Sequence, residues 1–143
     1  MQPLVLDTNV VLDLFVFADE AARPLLEGLQ QGRVRWLATM PMREELRRVL
    51  DYPQLVPRLA FRRLAAEAVL AQFDRHAQLV PVAAKAPCTC KDPDDQKFID
   101  VAVAHASGLL SKDRAVLAMR KRLARHGVLA SPVWVTAPPN PAA

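Results

Sequence analysis

The 143 residues predict one α/β domain, in which a parallel sheet carries helices on both faces. Three observations lead there. Short apolar runs alternate with longer amphipathic stretches along the chain. The first run, Leu4-Val5-Leu6, is apolar at successive positions, as in a strand covered on both faces, and it stops abruptly at Asp7-Thr8-Asn9. Near the other end Leu109-Leu110-Ser111-Lys112-Asp113 repeats the arrangement: apolar run, hydroxyl, acid, then a helical pattern. Two parallel strands would bring Asp7 and Asp113 to the same sheet edge, where open α/β sheets bind ligands.

Each element has a local reason. After the first strand a helix is expected, capped by Thr8 or Asn9 and running through Val11–Phe17. A second follows over Ala21–Gln31, with Pro24 near its start and Gly32 past its end. Val34–Ala38 reads as a strand. Thr39 or Met40 caps the next helix, in which Met42, Leu46, Val49 and Leu50 share a buried face. Pro53 and Pro57 mark a turn before one long amphipathic helix from about Arg58 to Ala77. Leu79–Val82 is a short strand whose Pro81 favours the sheet edge. A loop with Cys88 and Cys90 leads to a helix opened by Asp92 and Pro93 and closed by Gly108. The Leu109-Leu110 strand, a basic helix from Arg114 to about Arg125 and a strand at Val133–Val135 complete a domain of residues 1–136. Residues 137–143 are proline-rich and unpatterned, and are expected to be a frayed tail.

Composition narrows the functional classes. The chain is 52% hydrophobic and 24% charged, as globular domains are. Without a membrane-length apolar run or a basic signal-peptide head, a soluble cytoplasmic protein is expected. Two cysteines one residue apart would strain a disulfide, and His76, His105 and His126 lack zinc-site spacing. The net charge of +4 rises further if several acids are set aside for one pocket. A basic exterior around an acidic pocket suits a polyanion, although solvated basic surfaces are equally common.

Four acids can reach one sheet edge: Asp7, Glu45, Asp95 and Asp113. Clustered carboxylates without His or Cys suit hard cations such as Mg²⁺ or Mn²⁺. Each has a plainer reading. Asp92, Asp94 and Asp100 compete with Asp95 as caps or solvated acids, and Glu44 or Glu45 could simply pair with Arg47 or Arg48 on the helix surface.

The ordered set LVLDTN, REELRRVL, DPDDQKFIDVAVA and LLSKD resembles the PIN domain, in particular the branch of toxin components of bacterial toxin–antitoxin systems. The likeness runs from Leu4 to about Val135. It implies a three-layer α/β/α sandwich around a mostly parallel sheet of about five strands, and a metal-dependent ribonuclease. Asp7, Glu45, Asp95 and Asp113 match the four acids that would hold Mg²⁺ or Mn²⁺. Thr8 and Asn9 match the polar pair after the first acid, Ser111 the hydroxyl before the fourth. Asp92 and Asp94 belong to the DPDD element and would support the site. In the fourth motif Ser111-Lys112-Asp113-Arg114 departs from the Thr-Gly-Asp-Asp of many relatives. Arg43, Arg47, Lys112 and Arg114 flank the acids and are candidates for contact with the RNA backbone. The resemblance also implies an antitoxin partner and a homodimer. Two other readings stand beside it: an inactive PIN-like module that binds nucleic acid or a partner, and a phosphatase with Asp7 as nucleophile. The phosphatase is disfavoured because Asn9 stands where such enzymes need a second acid.

Overall fold

A computed structural model describes residues 1–134. Five strands, β1 (Gln2–Leu6), β2 (Val34–Ala38), β3 (Ala77–Leu79), β4 (Gly108–Leu110) and β5 (Ala130–Ser131), form one sheet in the order β3-β2-β1-β4-β5. Every pairing is parallel. From β1 the chain first steps towards β2 and β3, then crosses back to β4 and β5. Right-handed crossovers in opposite directions put helices on opposite faces, which gives the expected three-layer α/β/α sandwich. Leu4, Val5 and Leu6 on the central strand are almost wholly buried, as the continuous apolar run requires. Gly108 lets β4 close on β1, because a Cβ there would come within 2.6 Å of Leu4 Cδ2.

The helices are α1 (Thr8–Phe15), α2 (Arg23–Gln30), α3 (Met40–Leu50), α4 (Val56–Phe61), α5 (Ala66–His76), α6 (Gln96–His105), α7 (Arg114–Leu117) and α8 (Arg120–Ala124). Among the described residues no helix is long and apolar enough to cross a membrane.

Five details differ from the sequence expectation. The cap of α1 is Asp7 rather than Thr8 or Asn9: its extended backbone lets the carboxylate accept the Val10 N–H at 3.0 Å. The expected long helix over 58–77 is two helices, broken where Arg63 turns into the left-handed region at φ 55°. The Leu64 N–H then bonds the Leu59 carbonyl at 2.9 Å and closes α4. The basic helix is likewise split at Ala118–Met119, where Met119 turns into the core. The last strand lies at Ala130–Ser131 and not at Val133 or Trp134, since β4 pairs there and Pro132, without an N–H, cannot continue the ladder. Val135 and the residues 137–143 read as a tail lie outside the described residues. β3 lies at Ala77–Leu79 rather than Leu79–Val82; it occupies the sheet edge, but Pro81 falls outside it.

Candidate metal centre at the sheet switch point

The strand order reverses between β1 and β4, and the acids gather beyond the carboxyl ends of these two strands. The Asp7 N–H bonds the Leu110 carbonyl at 3.0 Å, so the ends of β1 and β4 are locked in register. The Asp7 side chain is buried, with one oxygen on the Val10 N–H and the other accepting the Ser111 hydroxyl at 2.5 Å. Burial raises its carboxyl above the ordinary range; the bonds from Ser111 and Val10 oppose the rise and the charge of Asp113 adds to it. Ser111, itself fully buried, accepts the Asp113 N–H at 3.0 Å. One hydroxyl thereby ties the first acid to the fourth. Asp113 in turn caps α7 by accepting the Ala115 N–H at 2.8 Å.

Asp95 enters from the opposite side, on a 3₁₀ turn over Pro93–Asp95 that leads into α6. Its Oδ2 is buried and has no hydrogen-bond partner among the described residues. Burial first, then the charge of Asp113, pushes its carboxyl up to about 7. Asp92 caps the 3₁₀ turn through the Asp94 N–H at 3.0 Å. Carboxylate oxygens of Asp92, Asp95 and Asp113 all lie within 4.8 Å of one another. Such mutual repulsion and an orphaned buried oxygen are what a hard cation relieves, so an all-oxygen divalent-metal site fits these donors.

Glu45 is placed differently. It projects from α3 across a cleft of about 160 Å³ lined by Asp7, Thr8, Asn9, Asp95, Val49 and Phe98. Its Oε2 accepts the Thr8 hydroxyl, and its Oε1 accepts Lys97 Nζ at 2.7 Å. The structure thus assembles Asp92, Asp95 and Asp113 into one group, with Asp7 joined to it through Ser111. Glu45 shares the cleft but is held by its own partners. Asn9 is exposed at the rim, and exposed Asp94 offers its carbonyl to Lys97.

Of the basic residues flanking the acids, Arg43 makes a two-pronged bond with Asp74 at 2.7 and 2.8 Å. Arg47 pairs with Glu44 at 2.9 Å and Lys112 with Asp13 at 2.5 Å, whereas Arg114 is exposed. Lys97 is the contact that sequence reasoning missed. It lies 52 residues from Glu45, so no periodicity could have paired them. The free thiols Cys88 and Cys90 are buried in the preceding loop. Gln96 straps that loop to α6 by accepting the Cys90 N–H at 2.7 Å and donating to the Cys88 carbonyl at 3.0 Å.

The raised carboxyl of Asp95 makes stability depend on pH in a definite direction. Folded Asp95 keeps its proton up to about 7, whereas the unfolded chain loses it near the ordinary value of 3.8. Between these values the folded state binds more protons, so the contribution is full below pH 4 and is lost as pH rises through 7. The melting temperature of metal-free protein should therefore fall between pH 5 and 7.5. Asp95→Asn should remove that part of the slope, and added Mn²⁺ should stabilise most at the upper end. Melting curves of both proteins, with and without Mn²⁺, check all three outcomes.

The PIN domain family model matches residues 3–115, and the chain belongs to the PIN-domain family. Among solved structures it is similar to VapBC2 from Rickettsia felis, crystallised bound to a DNA fragment from their promoter. The match covers 91% of this chain and 98% of that one, at 12% identity and a TM-score of 0.63, and it shows a shared fold. No curated protein sequence matches the chain significantly.

Proposed function

We propose that this PIN domain is a divalent-metal-dependent endoribonuclease, the toxin of a toxin–antitoxin pair. The observation that carries the reading is the convergence of Asp92, Asp95 and Asp113 beside Asp7 at the sheet switch point, with an unpartnered carboxylate oxygen on Asp95. When bound, Mg²⁺ or Mn²⁺ would lower the pKa of a water and offset charge on the phosphate undergoing hydrolysis.

The chain's own residues prepare that chemistry. Asp92, Asp95 and Asp113 would hold the ion, with Asp7 beside them. Ser111 keeps Asp7 and Asp113 in a fixed relation, donating its hydroxyl to the Asp7 carboxylate and accepting the Asp113 backbone N–H. Thr8 orients Glu45 across the cleft, while Asn9 stands at the rim where substrate enters. Among the basic residues flanking the acids, Arg114 is best placed to contact RNA, because Arg43, Arg47 and Lys112 already have acidic partners. Net positive charge favours a polyanionic substrate. The likeness to VapBC2 supports an antitoxin partner and, through the family, a homodimer in the cytoplasm.

The test is cleavage of a mixed-sequence single-stranded RNA with Mn²⁺ or Mg²⁺, against a chelator control and Asp95→Asn. Metal-dependent cutting lost in the variant is the expected result. Failure to cut, together with no Mn²⁺ uptake by calorimetry, would overturn it in favour of a non-catalytic binding module. A phosphatase would instead trap phosphate on Asp7.

A further inference from the structure

The acids of the cleft fall into two sets that differ in how their charge is met. Asp92, Asp95 and Asp113 crowd within 4.8 Å of one another, and no ion pair reaches them among the described residues. Glu45 has a cation in contact: Lys97 Nζ at 2.7 Å. That ammonium is not a loose surface charge. It also donates to the Asp94 carbonyl and stands 4.8 Å from the centre of the Phe98 ring, with its side chain 25% exposed. Lysine has three N–H donors, so two are spent on Glu45 and the Asp94 carbonyl and one is left over. Lys97 rides on the first turn of α6, next to the turn that carries Asp95, so the same backbone positions both.

We propose that Lys97 stands in for a second metal ion: one divalent cation belongs to Asp92, Asp95 and Asp113, and the ammonium of Lys97 supplies the other positive charge at Glu45. The inference rests on the nuclease reading and deepens it. Sites that hydrolyse phosphodiesters often place two metal ions about 3.5–4 Å apart to balance charge on either side of the phosphate. A second ion at Glu45 would have to dislodge an ammonium bound to a carboxylate and a carbonyl, and take Oε2 from the Thr8 hydroxyl. A tethered ammonium meets the same electrostatic need without recruiting an ion from solution. Glu45 is then a positioning residue for Lys97 rather than a metal ligand.

Counting Mn²⁺ ions by isothermal titration calorimetry, with electron paramagnetic resonance of free Mn²⁺ as a second measure, tests this. Wild type and Lys97→Arg should each take up one ion. Lys97→Met, which keeps the length of the stem but not the charge, should bind a second, weaker ion through the freed Glu45. The double variant Lys97→Met/Glu45→Gln should return to one. Circular dichroism melts establish that each variant is folded. Two ions in wild type, or one ion of unchanged affinity in Lys97→Met, would overturn the assignment of Lys97 while leaving the nuclease reading in place. No uptake by wild type would overturn both.

Discussion

Asp7→Asn should lower RNA cleavage by at least about a hundredfold while the melting temperature holds or rises. The two effects separate because Asp7 has two duties that respond differently to loss of charge. As the cap of α1 it needs only an oxygen for the Val10 N–H, and the carbonyl of Asn supplies one. The new amide can donate to Ser111 Oγ, which at present donates to Asp7 and also accepts from Asp113. Geometry is therefore kept. Burial already disfavours the ionised carboxyl, so a neutral amide removes a desolvation penalty and the repulsion from Asp113. Chemistry loses by the same change, because a neutral side chain contributes no charge to a cation. A parallel loss of activity and melting temperature would show that Asp7 acts as a structural cap alone.

The acids were readable from sequence where local pattern fixes their position. Asp7 and Asp113 each follow a short apolar run, and parallel pairing of β1 with β4 then brings them together whatever the loops do. Asp95 was readable through Pro93 and the helix behind it, although its neighbours Asp92 and Asp94 looked equivalent. Only folding separates these three: Asp92 and Asp95 turn inwards and Asp94 remains exposed.

The cap of α1 was misassigned for a related reason. An acid at a strand end can serve a helix and a ligand at once, and sequence offers no sign of the double use. The break between α4 and α5 did leave a trace. Leu59, Leu64 and Val69 recur every five residues, a spacing that no continuous helix keeps on one face. The Glu45–Lys97 contact left none, since it depends on how α3 and α6 meet across the cleft.

Phe98→Ala should cost about 3–5 kcal/mol and lower the melting temperature by roughly 10 °C or more. Phe98 is 2% exposed, sits in the first turn of α6 and lines the cleft. α6 packs on the central strand β1, so this ring couples the helix that carries Asp95 to the strand that presents Asp7. Removing it leaves a cavity beside the turn that carries Asp95, which the close-packed core fills only by shifting its neighbours. The metal should feel the loss too: stabilisation by saturating Mn²⁺ should shrink in Phe98→Ala. In Phe98→Leu, which refills most of the volume, the cost should be about 1–1.5 kcal/mol with the metal effect largely retained. Denaturant unfolding with and without Mn²⁺ measures both quantities on the same samples. If Phe98→Ala loses stability yet keeps the full metal increment, the acids are positioned by the Ser111 bridge and the Asp92 turn without help from the α6 core. That result would move the organising centre of the site from the packing beneath it to the hydrogen bonds within it.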